Sequence, residues 1–193
     1  MNANKFNEIF DAYSQMHLVP MGFKKKGTSY YLIDKENIFN FKKGTFQGVF
    51  TGFIFCYSYL FLDNFKDEKG KLKIAPYAED YLITIDCSDL NALSKKYKNI
   101  ADFKYEFNFS KRGMNFLSFQ NETFDLNNLN VHATNQTINE KYIENSVLQA
   151  KELGVKYLKQ LNPQITLKLL KESKNKIDNE ILKKLVAYNT NYS

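Results

Sequence analysis

The sequence predicts an α+β fold: an antiparallel sheet of five or six strands, with an N-terminal helix on one face and two or three C-terminal helices completing the cover. Three observations predict it. Apolar residues recur at three- and four-residue steps near both ends of the chain, which is the spacing of a helix face. Residues 103–109 alternate aromatic and polar side chains, which is the spacing of a half-buried strand. Between them, residues 44–62 carry no charge and are rich in Val, Ile, Phe and Tyr, residues that fit a pleated, covered strand. The chain has 193 residues, 44% of them hydrophobic and 16% aromatic. Folding at that length buries roughly 70% of the unfolded surface, so one core needs neither disulfides nor a structural metal. Residues 1–193 therefore read as a single globular domain.

The elements follow in order. Phe6, Ile9, Phe10, Tyr13 and Met16 form one stripe of a helix over residues 4–17, which Pro20 and Gly22 end. After Lys24, Lys25, Lys26 and Gly27, residues 29–33 read as a strand that turns through residues 34–37 into residues 38–41. Lys43-Gly44 reads as the next turn, leading into the long uncharged strand. Residues 63–73 form a polar loop, residues 81–85 resume strand character, and a short helix is expected near residues 90–97. Residues 103–109 and 114–119 form a hairpin about Lys111-Arg112-Gly113, and the Asn-rich residues 121–136 read as a surface loop with little regular structure. Thr137 and Glu140 are spaced as a capping box for a helix with Ile143, Val147 and Ala150 inward, and Gly154 sits where a left-handed cap would end it. Asn162-Pro163 starts a helix with Ile165, Leu169 and Leu170 on its apolar face. A last helix is expected over residues 178–188, with Ile181, Leu182, Leu185 and Val186 on its apolar face.

Composition excludes more chemistry than it selects. The formal net charge is +6, from 27 Lys and Arg against 21 Asp and Glu, and Arg112 is the sole arginine. Guanidinium forks make most bidentate contacts to guanine and phosphate, so a chain nearly devoid of them is poorly equipped for sequence-specific DNA readout. Cys56 and Cys87 form no CxxC or regular framework, and the N-terminal residues lack the cationic start and apolar run of a secretory signal. From both features the reducing cytoplasm is the expected location. Residues 44–62 are long enough for a membrane helix, but their glycines, threonines and glutamine do not suit lipid, so no membrane association is expected. No HExxH, GxSxG, Walker or dinucleotide fingerprint occurs, His17 and His132 stand apart, and neither a metal nor another cofactor is expected.

Three sets of residues are candidates for function. Lys24, Lys25 and Lys26 beside Tyr30 and Tyr31 combine cations with aromatic faces and suit holding phosphate or stacking on a base. Lysines on an edge strand also keep sheets from pairing with one another, which is the simpler reading. Phe53, Phe55, Tyr57 and Tyr59 share one side of the long strand, an adhesive surface if uncovered and plain core if covered. Glu79, Asp80, Asp86 and Asp89 flank a strand and suit a cation or acid-base work, although acids in a charged chain usually form a solvated edge.

The opening helix, the run Pro20-Met21-Gly22-Phe23-Lys24-Lys25-Lys26-Gly27, the pair Tyr30-Tyr31 and the paired strands around residues 38–41 and 49–55 resemble the bacterial domain-of-unknown-function family 4304. The likeness covers roughly the first third of the chain. Phe39-Asn40-Phe41-Lys42-Lys43 departs from it where that family shows an apolar strand ending in Gln-Lys-Ser, and Leu153-Gly154-Val155-Lys156-Tyr157-Leu158 resembles its closing segment. The resemblance implies a bacterial protein but assigns no catalytic or binding residue.

These readings lead to a cytoplasmic, non-enzymatic binding or protein-interaction module with a protein partner. A lysine-based nucleic-acid binder and an enzyme of unrecognised type built on the acidic cluster are the alternatives.

Overall fold

The computed structural model describes residues 3–46, 49–62, 65–74, 81–86, 108–109, 124–125, 139–172 and 179–191. Helix α1 (Ala3–His17) is followed by a short 3-10 turn (Val19–Met21) and by strands β1 (Lys24–Lys26), β2 (Ser29–Asp34), β3 (Asn37–Phe46), β4 (Val49–Tyr59) and β5 (Ile83–Asp86). These strands form an antiparallel sheet in the order β1-β2-β3-β4-β5. The two-residue strands β6 (Asn108–Phe109) and β7 (Phe124–Asp125) pair with β5 and β4 respectively. Helices α2 (Glu140–Gln149), α3 (Val155–Leu158), α4 (Pro163–Glu172) and α5 (Asn179–Asn191) complete the α+β fold, with a π turn (Ala150–Gly154) joining α2 to α3.

The period-two pattern of β4 places Phe53, Phe55, Tyr57 and Tyr59 on one face of the sheet. Register partners Phe41 and Phe39 of β3, and Tyr30 and Leu32 of β2, extend that face. Phe6, Ile9 and Phe10 of α1 and Ile143, Val147, Leu169, Leu170 and Leu185 of the C-terminal helices join these residues in one core. All helical cover with described core residues thus lies on the aromatic side. The opposite side of β3 and β4 presents Ile38, Ile54 and Cys56, packed with Phe65, Ile74 and Tyr81. The segment carrying Phe65 and Ile74 is shaped by Asp67, whose Oδ1 accepts from the backbone N–H of Lys69 at 3.0 Å and of Lys71 at 2.8 Å. Residues 53–59 are buried on both faces, so the long uncharged run is a central strand. No helix among the described residues is long and apolar enough to cross a membrane.

Several local expectations change. The turn expected at Lys43-Gly44 falls later: β3 continues to Phe46, whose register partner is Val49, and Gly44 lies opposite Gly52 beside a shift in register. Two facing glycines with an adjacent irregularity bend a ribbon without ending it. In α1 the inward seam continues through Ser14, four residues after Phe10, while Met16 is 63% exposed. The N-cap of α2 is Asn139, whose Oδ1 accepts from the Tyr142 N–H at 2.9 Å, in place of Thr137. Gly154 does not end the helix, because the π turn carries the chain through it into α3. Phe124–Asp125 forms a strand inside the stretch read as an irregular loop. Thr137, the helix expected at residues 90–97 and most of the hairpin at residues 103–119 lie outside the described residues. Other signals hold. The Asn162 Oδ1 caps α4 by accepting from the Ile165 N–H at 2.8 Å, with Pro163 first in the helix.

Gly22 links the helical layer to β1. It has φ +95°, and a Cβ built there would lie 3.3 Å from Leu32 Cδ1. A left-handed conformation costs an L-residue roughly 1–2 kcal/mol, so Gly22→Ala is expected to lower the melting temperature by several degrees, at about 2–4 °C per kcal/mol for this chain length. Thermal circular dichroism checks this, and an unchanged melting temperature would contradict the strained backbone at Gly22.

Candidate functional site

The lysine run forms β1, the terminal strand of the sheet, and all three lysines are exposed. Its position follows from local sequence. Gly22 turns the chain out of the 3-10 segment with a left-handed backbone, and Gly27, with φ +58°, is the first residue of the two-residue turn into β2. Positive φ at the first turn position is the geometry of a tight hairpin, which glycine adopts without steric cost. The register pairs Lys24 with Tyr31, Lys25 with Tyr30 and Lys26 with Ser29.

Alternation divides the lysines between the two faces of the sheet. Lys25 lies on the α1 side, where its Nζ reaches Asp11 Oδ2 at 2.6 Å. The Tyr30 hydroxyl donates to the other carboxylate oxygen of Asp11 at 3.0 Å. Tyr30 is fully buried as a residue and packs edge-on against Phe10 at 5.8 Å. Burial first, and the Asp11 charge second, hold its hydroxyl well above the usual tyrosine range. Asp11 therefore fastens α1 to the first hairpin. A second fastening lies about one turn earlier in the helix, where Lys43 donates to Asn7 Oδ1 and stands over the Phe6 ring at 5.8 Å from the centroid. Burial lowers the Lys43 pKa, and the Asp11 charge partly opposes that shift.

Lys24 and Lys26 lie on the opposite side of the sheet, with half-buried Tyr31 and Ser29 as neighbours on β2. Neither lysine has an ion pair among the described residues. Among the described residues, the edge thus presents two uncompensated ammonium groups on one face and one compensated group on the other. Two cations two residues apart along a strand stand roughly 7 Å from each other, within one Debye length at physiological salt. They act on an approaching anion together.

The other candidates separate. Phe53, Phe55, Tyr57 and Tyr59 are each 0% exposed, which makes them core and not an open adhesive face. The Tyr57 hydroxyl donates to Asn37 Oδ1 at 2.9 Å, and the hydroxyls of Tyr59 and Thr166 are 2.6 Å apart. The sequence reading did not single out Thr166. Its signal is a hydroxyl on the inward side of α4 between Ile165 and Leu169. Of the acidic cluster, Asp86 ends β5 as the register partner of Ile54, while Glu79, Asp80 and Asp89 lie outside the described residues, as do Cys87 and His132. His17 stacks on Tyr13 with ring centroids 6.2 Å apart, and Cys56 is buried. Among the described residues no three His, Cys, Asp or Glu side chains gather to form a metal site. Comparison of the chain with protein families, curated proteins and solved structures finds no match.

Proposed function

We propose that this protein is a cytoplasmic, non-enzymatic binding module that engages an acidic surface of a partner protein through the edge formed by β1. The observation that carries the reading is the charge arrangement of that edge: Lys24 and Lys26 are exposed and unpaired among the described residues, while Lys25 is held by Asp11. Charged groups at the rim of an interface steer association and select partners by complementarity more than they add affinity. Tyr31, half-buried beside Lys24, supplies an aromatic surface of the kind enriched at contacts. The aromatic run of β4 is buried and offers no contact surface.

The test is affinity capture from the native host, with nuclease treatment, using the full chain and its Lys24→Glu/Lys26→Glu variant. Surface substitutions of this kind change stability by about 0.5 kcal/mol or less, so both proteins are expected to melt alike. A protein retained by the unaltered chain and lost by the variant supports the reading. Equal recovery by both overturns it, and loss of all bound material on nuclease treatment points instead to a lysine-based nucleic-acid binder.

A further inference from the structure

The backbone of β1 narrows the kind of partner. The two-residue turn between Lys26 and Ser29 makes that closing pair a hydrogen-bonded one. Bonded and non-bonded pairs alternate in an antiparallel ladder, so Lys24 and Tyr31 form the next bonded pair and Lys25 faces Tyr30 without bonding to it. The N–H and C=O of Lys25 consequently point away from β2, to the side of the sheet on which no described strand lies. An edge of this kind is a template for another strand.

What the edge admits is set by its charges. A second copy of the same strand would bring lysine against lysine, and like charges directly opposite one another destabilise a strand pair. An uncharged strand would leave the ammonium groups uncompensated. An acidic strand meets both demands, and its pattern is constrained. A residue paired with Lys25 lies on the α1 face, where Asp11 already neutralises the lysine, so a carboxylate there would face Asp11 as well. Its two neighbours lie on the other face, across from Lys24 and Lys26. We infer that β1 takes up an extended segment of the partner as an added strand, carrying carboxylates at positions i and i+2 opposite Lys24 and Lys26 and an uncharged residue between them opposite Lys25. This rests on the reading of β1 as the partner-binding edge and specifies the partner's local sequence and conformation. With only three residues in β1, backbone bonds are few, and charge supplies most of the selectivity.

The probe is a short fluorescent peptide rich in Thr and Val with glutamates at i and i+2, titrated against the full chain by anisotropy. Two control peptides have the same composition: one places the glutamates side by side, and the other is N-methylated at the residue facing Lys25. The alternating peptide is expected to bind best, to weaken as salt rises, and to lose about tenfold or more against Lys24→Glu/Lys26→Glu. Lys25→Gln should alter the affinity by no more than about twofold, because that charge is already compensated. Three results would each overturn the inference: equal binding of the alternating and side-by-side peptides, indifference to N-methylation, or no binding of the alternating peptide at low salt. If host capture still depends on Lys24 and Lys26 in any of those cases, the edge remains the binding site and strand addition alone is wrong. Failure of both experiments removes the edge itself.

Discussion

Phe53→Ala is expected to destabilise the protein by about 3–5 kcal/mol, the range for removing a buried phenylalanine ring from a core that relaxes only partly. Phe53 is wholly buried where α1, β3 and α2 meet β4. Its ring centroid lies 5.8 Å from Phe6, 5.4 Å from Phe10, 5.8 Å from Phe41 and 5.9 Å from Tyr142. Losing it withdraws dispersion contacts from four rings at once and opens a void that neighbouring aromatic side chains are too stiff to fill. Domains commonly have a total stability of roughly 5–15 kcal/mol, so the variant should unfold at markedly lower urea or fail to accumulate. Phe53→Leu keeps part of the volume and is expected to lose clearly less. Val186→Ala, at a residue 44% exposed on α5, should change stability by no more than about 0.5 kcal/mol. Equal denaturation midpoints for Phe53→Ala and Val186→Ala would refute the central position given to the aromatic face.

The second large effect belongs to the hydroxyl pair that joins the sheet to α4. Tyr59 and Thr166 are fully buried, and their hydroxyl oxygens lie 2.6 Å apart. Tyr59→Phe removes one partner and leaves Thr166 Oγ1 without it, a loss of about 1–3 kcal/mol. The double variant Tyr59→Phe/Thr166→Val replaces both polar groups and should recover part of that loss, whereas additive losses would mean that the two hydroxyls do not act as a pair.

The same hydroxyl ties stability to alkaline pH. Burial pushes Tyr59 up to about 12, while the neighbouring hydroxyls of Thr166 and Tyr57 pull in the opposite direction. An unfolded tyrosine titrates near pH 10. The folded state holds the proton more tightly, so this contribution is present in full below pH 10 and is lost as the pH rises from 10 to 12. Tyr57 is raised too, chiefly by burial and then by the neighbouring Tyr59. Urea unfolding of the unaltered protein should therefore weaken steeply over that interval, and the fall should be shallower in Tyr59→Phe. Parallel pH profiles would show that Tyr59 titrates alike in both states.

Particular residues show how much of this was legible in one dimension. The period-two run from Phe53 to Tyr59, the helical stripe of Ile143, Val147 and Ala150, and the Asn162-Pro163 helix start were all readable, because each depends on geometry repeated over a few residues. Gly44 was not. A glycine marks a turn or an irregular strand position equally well, and the choice was made by Gly52 across the ladder. Gly154 had the same ambiguity between a cap and a helix interior, which the π turn resolves. Thr137 and Asn139 both carry a capping oxygen, and only the path of the chain into α2 determined that Asn139 reaches the Tyr142 N–H.

The candidate site was half legible. Three consecutive lysines beside a strand announce a basic edge, but nothing in the run distinguishes Lys25 from its neighbours. Asp11, fourteen residues earlier, does so by meeting Lys25 across the helix-sheet boundary. The same holds for Tyr59 and Thr166, separated by 107 positions. Backbone preference and side-chain periodicity act over a few residues, so the α+β class, the central position of β4 and the main inward stripes of the terminal helices were determined by the sequence alone, with Met16 and Val186 the exposed exceptions. Which aromatic rings are covered, which cations keep their charge free and which hydroxyls find partners depend on contacts between distant segments, and only the tertiary structure, by burying some groups and pairing others, decided them.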